Sequence, residues 1–125
     1  MTYDMNNIFA KILRKEIPCS KVHENEHALA LDDMNPQAKV HILVIPKGSY
    51  VDVDDFSRNA SKDEIASLMH AVAEVCKITK VSLTEGGNGF RLIANTGPDG
   101  SQEVPHFHYH IMGGEPMGLR GLRKS

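Results

Sequence analysis

The stretch His106-Phe107-His108-Tyr109-His110-Ile111-Met112 sets a histidine at every second position, three times over. Side chains alternate faces along a β-strand, so this period of two predicts a strand over 106–112. It sets three imidazoles on one face. Phe107, Tyr109 and Ile111 fall on the other, where they would pack on helices.

Working outward from that strand, Gly97-Pro98-Asp99-Gly100-Ser101 and Gly86-Gly87-Asn88-Gly89 read as turns that bound a fourth strand at Phe90–Asn95. Before it, Ser61-Lys62-Asp63-Glu64 has the capping-box pattern of a helix start, serine first and glutamate three later. Ile65, Leu68, Met69, Val72, Val75 and Cys76 continue it as one apolar stripe, which predicts a helix from about Ser61 to Thr79. Residues 47–60 are polar and read as irregular. Val40–Pro46 is a third strand. Lys21–Glu24 and His27–Asp32 form two short strands joined by a turn at Asn25-Glu26. Ile8, Phe9, Ile12 and Leu13 recur at helical spacing within Asn7–Glu16, and Pro18 ends that pattern. Few long crossovers are available, so the sheet is expected to be mainly antiparallel and the class α+β. A chain of 125 residues is one domain, 1–125, with a tail from about 115.

Fourteen basic and sixteen acidic residues give a net charge of −2, which argues against holding a nucleic acid polymer by neutralising phosphates. A single nucleotide is still within reach of backbone N–H groups and neutral side chains. The two cysteines, Cys19 and Cys76, have no CxxC spacing, and Cys76 falls on the apolar helical stripe. The start Met1-Thr2-Tyr3-Asp4 lacks the features of a signal peptide, and the run Ile42-Leu43-Val44-Ile45 is too short to span a membrane. A cytoplasmic location is expected.

The histidine row admits three readings. It could be a solvated face without chemistry, though lysine, threonine or glutamate would serve that purpose equally. Alternate histidines on a strand could also hold Zn²⁺, with Glu103 and His41 as further ligands. The favoured reading is nucleophilic catalysis on phosphorus, because neutral imidazole is a good nucleophile near neutral pH and neighbouring rings can donate to phosphate oxygens. The loop Asn95-Thr96-Gly97-Pro98-Asp99-Gly100-Ser101-Gln102 suits it, since such a loop can aim N–H groups at an anion. By itself that loop is a plain hairpin turn.

The row resembles the His-φ-His-φ-His-φ-φ signature of the histidine triad (HIT) family, φ being apolar. Phe9-Ala10-Lys11-Ile12-Leu13-Arg14-Lys15-Glu16-Ile17-Pro18 is similar to the opening of that family's nucleotide-binding (Hint-like) branch. The segments from Leu31 to Lys47 and from Asn95 to Gly114, with the double glycine Gly113-Gly114, continue the match. The resemblance implies five antiparallel strands with two helices, pairing in a homodimer into a ten-stranded sheet. It also implies metal-free hydrolysis of purine nucleoside 5′-phosphoramidates, such as AMP or GMP linked to an amine, with no cofactor. On that basis His108 is the nucleophile, forming a nucleotidyl–histidine, and His106 and His110 flank it. His41 is a fourth histidine near the triad. Asp33 accepts from ribose hydroxyls. Asn95 and Gln102 are polar positions around the α-phosphate, and Phe9, Ile12 and Ile17 line the base pocket or simply pack in the core.

Departures from the pattern bear on the leaving group. Glu103 stands where some members carry serine and bacterial-type members often carry glutamate, Ser101 stands where glycine is usual, and Pro105 where an aromatic is common. The tail from Glu115 to Ser125 lacks a Trp-Pro-Pro ending and resembles bacterial tails. Dinucleoside polyphosphate hydrolases share the triad but usually lack the double glycine, and nucleotidyltransferases replace the third histidine. A nucleotide-binding adaptor whose hydrolysis is incidental is the alternative outside enzymology.

Overall fold

The computed structural model describes residues 2–118, so most of the tail lies outside the described residues. Five strands form one sheet: β1 (Lys21–Glu24), β2 (Ala28–Asp32), β3 (Val40–Pro46), β4 (Phe90–Ile93) and β5 (Tyr109–Gly113). Their order is β1-β2-β3-β5-β4, and every neighbouring pair is antiparallel. Three helices accompany it: α1 (Ile8–Leu13), α2 (Val53–Asn59) and α3 (Lys62–Ile78). The α+β expectation is met, with one helix more than the two expected.

The sheet is buried on both faces, and strand alternation decides what lies on each. Ala28, Ala30, Ile42, Val44 and Ile111 face α3, where they pack with Leu68, Ala71, Val72, Val75 and Cys76. Phe107 and Phe56 stack in this layer with ring centroids 5.0 Å apart. Leu29, Leu31, Leu43 and Ile45 face the other way, onto Phe9 and Ile12 of α1. Helix α1 is short and covers only part of that face. The part it leaves open holds His41, His108 and His110.

Helix α3 has the expected capping box, with Ser61 Oγ accepting from Glu64 N at 3.1 Å and Glu64 Oε1 from Ser61 N at 3.0 Å. Its buried stripe is rotated from the expected one. Ala71 belongs to it, whereas Ile65 and Met69 are 38% and 44% exposed. Helix α2 corrects the irregular reading of 47–60. Phe56 is its sole buried residue, too little for a periodicity to show. Its signals are instead an Asp52 cap accepting from Asp55 N at 2.8 Å and an Arg58–Asp54 pair one turn apart. Helix α1 stops at Leu13, short of the expected Glu16, because Lys15 turns left-handed (φ 64°) and Glu16 N bonds back to Lys11 O at 2.9 Å.

Three strands are shorter than expected. β2 starts at Ala28 because Asn25 Oδ1 takes the N–H groups of His27 and Ala28 in a side-chain turn. β5 starts at Tyr109 rather than His106. Continuing its register (Val44 opposite Tyr109) would set Phe107 against Pro46, which has no N–H to give. Phe107 N bonds Tyr50 O at 2.7 Å instead. Thus only His110 of the row lies in the ladder; His106, in a bend, and His108 precede it. β4 likewise ends at Ile93, with Ala94 and Asn95 beyond the pairing. Among the described residues no helix is long and apolar enough to cross a membrane.

The rotated stripe gives a direct test. Leu68→Ala, at a 1% exposed position, is expected to cost about 2–5 kcal/mol in urea unfolding, and Ile65→Ala less than about 1 kcal/mol.

Candidate active site

On the uncovered face lies a cleft of about 990 Å³. Ile8, Phe9 and Ile12 of α1, Leu31, Leu43 and Val104 make an apolar wall. Asp33, His41, His108, His110, Asn95, Ser101 and Glu103 make the polar end, and Met34 to Gln37 form the rim. Its described lining has three carboxylates, Asp32, Asp33 and Glu103, and neither lysine nor arginine.

Backbone partners fix which nitrogen of each ring carries the proton. Gln37 N–H donates to His41 Nδ1 at 3.0 Å, so the neutral His41 ring is protonated on Nε2. That Nε2–H points at His110 Nδ1, 2.9 Å away, and lies 3.3 Å from Asp33 Oδ2. His110 therefore accepts on Nδ1 and carries its own proton on Nε2. His108 Nδ1 lies 2.7 Å from the carbonyl oxygen of His106, which can only accept, so Nδ1 holds the proton. His108 Nε2 is left with a lone pair and no protein partner, on a ring that lines the cleft.

Burial keeps these rings neutral. It pushes the His110 imidazole down to about 4, helped by the neighbouring His108 and His41 rings. It pushes His106 down to about 4 as well. His108 and His41 are also lowered by burial, which outweighs the opposing pull of Asp33 on both. Phe9 packs edge-on against His108 with centroids 5.0 Å apart, so the apolar wall reaches the polar end.

Not every residue singled out in the sequence meets the cleft. His41, His108, His110, Asp33, Asn95, Ser101, Glu103, Phe9 and Ile12 line it. His106 does not. It is wholly buried behind His108, with Nε2 2.8 Å from Pro46 O. Ile17 packs against the α1 side of the core, outside the lining. Gln102 spends its amide on the backbone, donating to Val51 O at 2.6 Å and Val104 O at 3.1 Å and accepting from Gly97 N at 3.0 Å. The loop is thereby tied to itself: Ser101 N bonds Pro98 O and Gln102 N bonds Gly97 O. The N–H groups of Gly97, Ser101 and Gln102 therefore do not form the anion cradle expected of this loop. Ser101 adopts φ 58°, which explains the usual glycine there.

The histidine row does not converge as a metal site. The group of possible ligands found among the described residues is Asp33, His41 and His110, whose donor atoms lie within 4.8 Å of one another. Several contributors escaped the sequence reading: the Gln37 N–H and the Pro46 carbonyl, which set tautomers, and Tyr3, whose hydroxyl bonds His106 Nδ1. Backbone groups leave no trace in a motif, and Tyr3 sits far outside it.

Known proteins resemble this chain in sequence and fold. An uncharacterised 13.2 kDa HIT-like protein of Azospirillum brasilense is 56% identical over 94% of this chain and 93% of its own. The purine nucleoside phosphoramidase of Escherichia coli K12 is 41% identical over 89% of each chain. The solved structure of a HIT family hydrolase from Clostridium thermocellum superposes with a TM-score of 0.81 at 34% identity, covering 90% of this chain and 94% of that one. With the HIT domain model matching residues 14–117 over a neutral histidine cluster on a five-stranded antiparallel sheet, the chain belongs to the HIT family.

Proposed function

We propose that the protein hydrolyses purine nucleoside 5′-phosphoramidates through a covalent nucleotidyl–His108 intermediate, working as a cytoplasmic homodimer. The observation that carries this reading is the free Nε2 lone pair of His108 on the cleft, held in place by the 2.7 Å bond from Nδ1 to the His106 carbonyl. A base and ribose would lie along Phe9, Ile12 and Leu31, with Asp33 taking the ribose hydroxyls and His108 facing phosphorus. His108 Nε2 attacks, an N–P bond forms, and the P–N bond to the leaving amine breaks. The leaving nitrogen takes that electron pair and a proton, which the Nε2–H of His110, a ring lining the cleft, supplies. The water that attacks the intermediate returns that proton to His110 Nε2, while the contact of His110 Nδ1 with His41 holds the ring. Water then attacks phosphorus, releasing the nucleoside monophosphate and restoring His108.

Charge favours this substrate over a dinucleoside polyphosphate. A phosphoramidate diester-like phosphorus carries one negative charge, whereas a polyphosphate chain brings several into a cleft already lined by three carboxylates and no described cation. The family relative named a purine nucleoside phosphoramidase supports the same choice. For the homodimer, β4 is the sheet edge, and Phe90 and Leu92 on it are 43% and 37% exposed. The opposite edge, β1, carries Lys21 and Glu24 instead.

Hydrolysis of adenosine 5′-phosphoramidate in excess EDTA tests the reading. Turnover is expected to survive the chelator, and His108→Ala to lower it by roughly three orders of magnitude or more while nucleotide binding stays measurable. Activity lost on chelation would assign the work to a metal on Asp33, His41 and His110. Absence of activity under both conditions would favour a nucleotide-binding adaptor.

The buried neutral rings also set the pH response. In the unfolded chain each histidine charges below 6.5, whereas in the fold His106 and His110 resist protonation down to about 4. The unfolded state then binds more protons, so the stabilisation is present above pH 6.5 and is lost as pH falls from 6.5 toward 4. Urea midpoints measured between pH 7.5 and 4 are expected to fall across that window. A midpoint flat across it would contradict the neutral cluster.

A further inference from the structure

His106 belongs to the triad yet never reaches the cleft, so its contribution must pass through its neighbours. Its carbonyl holds His108 Nδ1, its Nε2 donates to Pro46 O, and its Nδ1 is left needing a donor in a 0% exposed site. That donor comes from the other end of the chain, where the Tyr3 hydroxyl meets Nδ1 across 103 residues of sequence. The Tyr3 ring lies edge-on to His106 with centroids 5.6 Å apart, and Phe9 closes the imidazole from another side at 6.1 Å.

The leader that carries Tyr3 is itself pinned. Asp4 O accepts from both the backbone and the side-chain nitrogen of Asn7, the buried cap of α1, and Arg14 donates to Met5 O at 2.8 Å. Were Tyr3 only a packing residue, its ring would suffice. The hydroxyl does something further, because the two-ended bonding of His106 permits one tautomer and one ring orientation. A ring free to flip or exchange tautomers would release Pro46 O and shift the backbone carbonyl that aims His108.

Resting on the phosphoramidase reading above, we propose that Tyr3 is a positioning residue for the nucleophile: its hydroxyl locks His106, and the His106 carbonyl holds the His108 ring with Nε2 toward phosphorus. The chain of contacts runs Tyr3 to His106 to His108, and only the last touches substrate. Because its last link is a backbone carbonyl, the effect falls on the orientation of attack and not on the affinity of the cleft.

Tyr3→Phe removes the hydroxyl and keeps the ring. Losing one buried hydrogen bond of this network is expected to lower kcat about tenfold on adenosine 5′-phosphoramidate, with KM within about twofold. ¹⁵N spectra of the histidine rings supply a readout independent of turnover. The wild type should show His106 protonated on Nε2 with a hydrogen-bonded Nδ1, and Tyr3→Phe should move the Nδ1 signal toward that of a free imine nitrogen. Tyr3→Ala, which also loses the ring, should reduce kcat at least as far. An unchanged kcat, an unchanged Nδ1 signal, or a loss confined to KM in Tyr3→Phe would overturn the proposal. A wild-type protein that fails to hydrolyse the substrate would instead refute the functional reading, and the ring spectra would still decide whether Tyr3 holds His106.

Discussion

The antiparallel pairing of β3 with β5 sets Leu43 opposite His110, Ile42 opposite Ile111 and His41 opposite Met112. Both strands are central, so each must bury both faces, and the period of two splits their side chains between two unlike environments. One face receives α3 and becomes an apolar layer. The other receives only the six residues of α1, and the shortfall is the cleft. A slip of one residue in this pairing would send His108 and His110 into the α3 layer and Phe107 and Ile111 into the cleft, destroying the core and the site together.

Placing four imidazoles in so buried a region is costly unless every nitrogen is matched. The fold matches them largely with backbone: Gln37 N–H on His41, Pro46 O on His106, and the His106 carbonyl on His108. No buried side-chain nitrogen or oxygen among the described residues lacks a partner. The nitrogens of His108 and His110 left without a protein partner are those open to the cleft, one as acceptor and one as donor. Burial thus serves the chemistry. It favours the neutral form of His108, the proposed nucleophile, and the bond of Nδ1 to the His106 carbonyl leaves the lone pair on Nε2.

Much of this was legible in the sequence because the site lies on strand periodicity. The alternation at 106–112, the apolar run at Val40–Pro46 and the capping box at Ser61 each have one strong reading; the structure keeps the last two whole and the first as a strand from Tyr109 on. What escaped was set by tertiary context. Pro46 cannot donate to Phe107, which shortens β5 and turns His106 inward, away from substrate. The N–H groups of Gly97, Ser101 and Gln102 are withdrawn from the phosphate cradle expected of 95–102 by bonds within the loop, contacts no turn signal announces. Helix α2 has one buried residue and hence no period, and Tyr3 acquires its meaning only when the first residues come to rest against the triad.

The covalent step is the centre of the account, and it is accessible directly. Rapid quenching during turnover of adenosine 5′-phosphoramidate, followed by intact-mass and peptide mass spectrometry, would capture the species between the two displacements. The account predicts a transient adduct of one adenylyl group, located on His108 and absent in His108→Ala. Turnover with no adduct at any quench time, or an adduct on another residue, would contradict it.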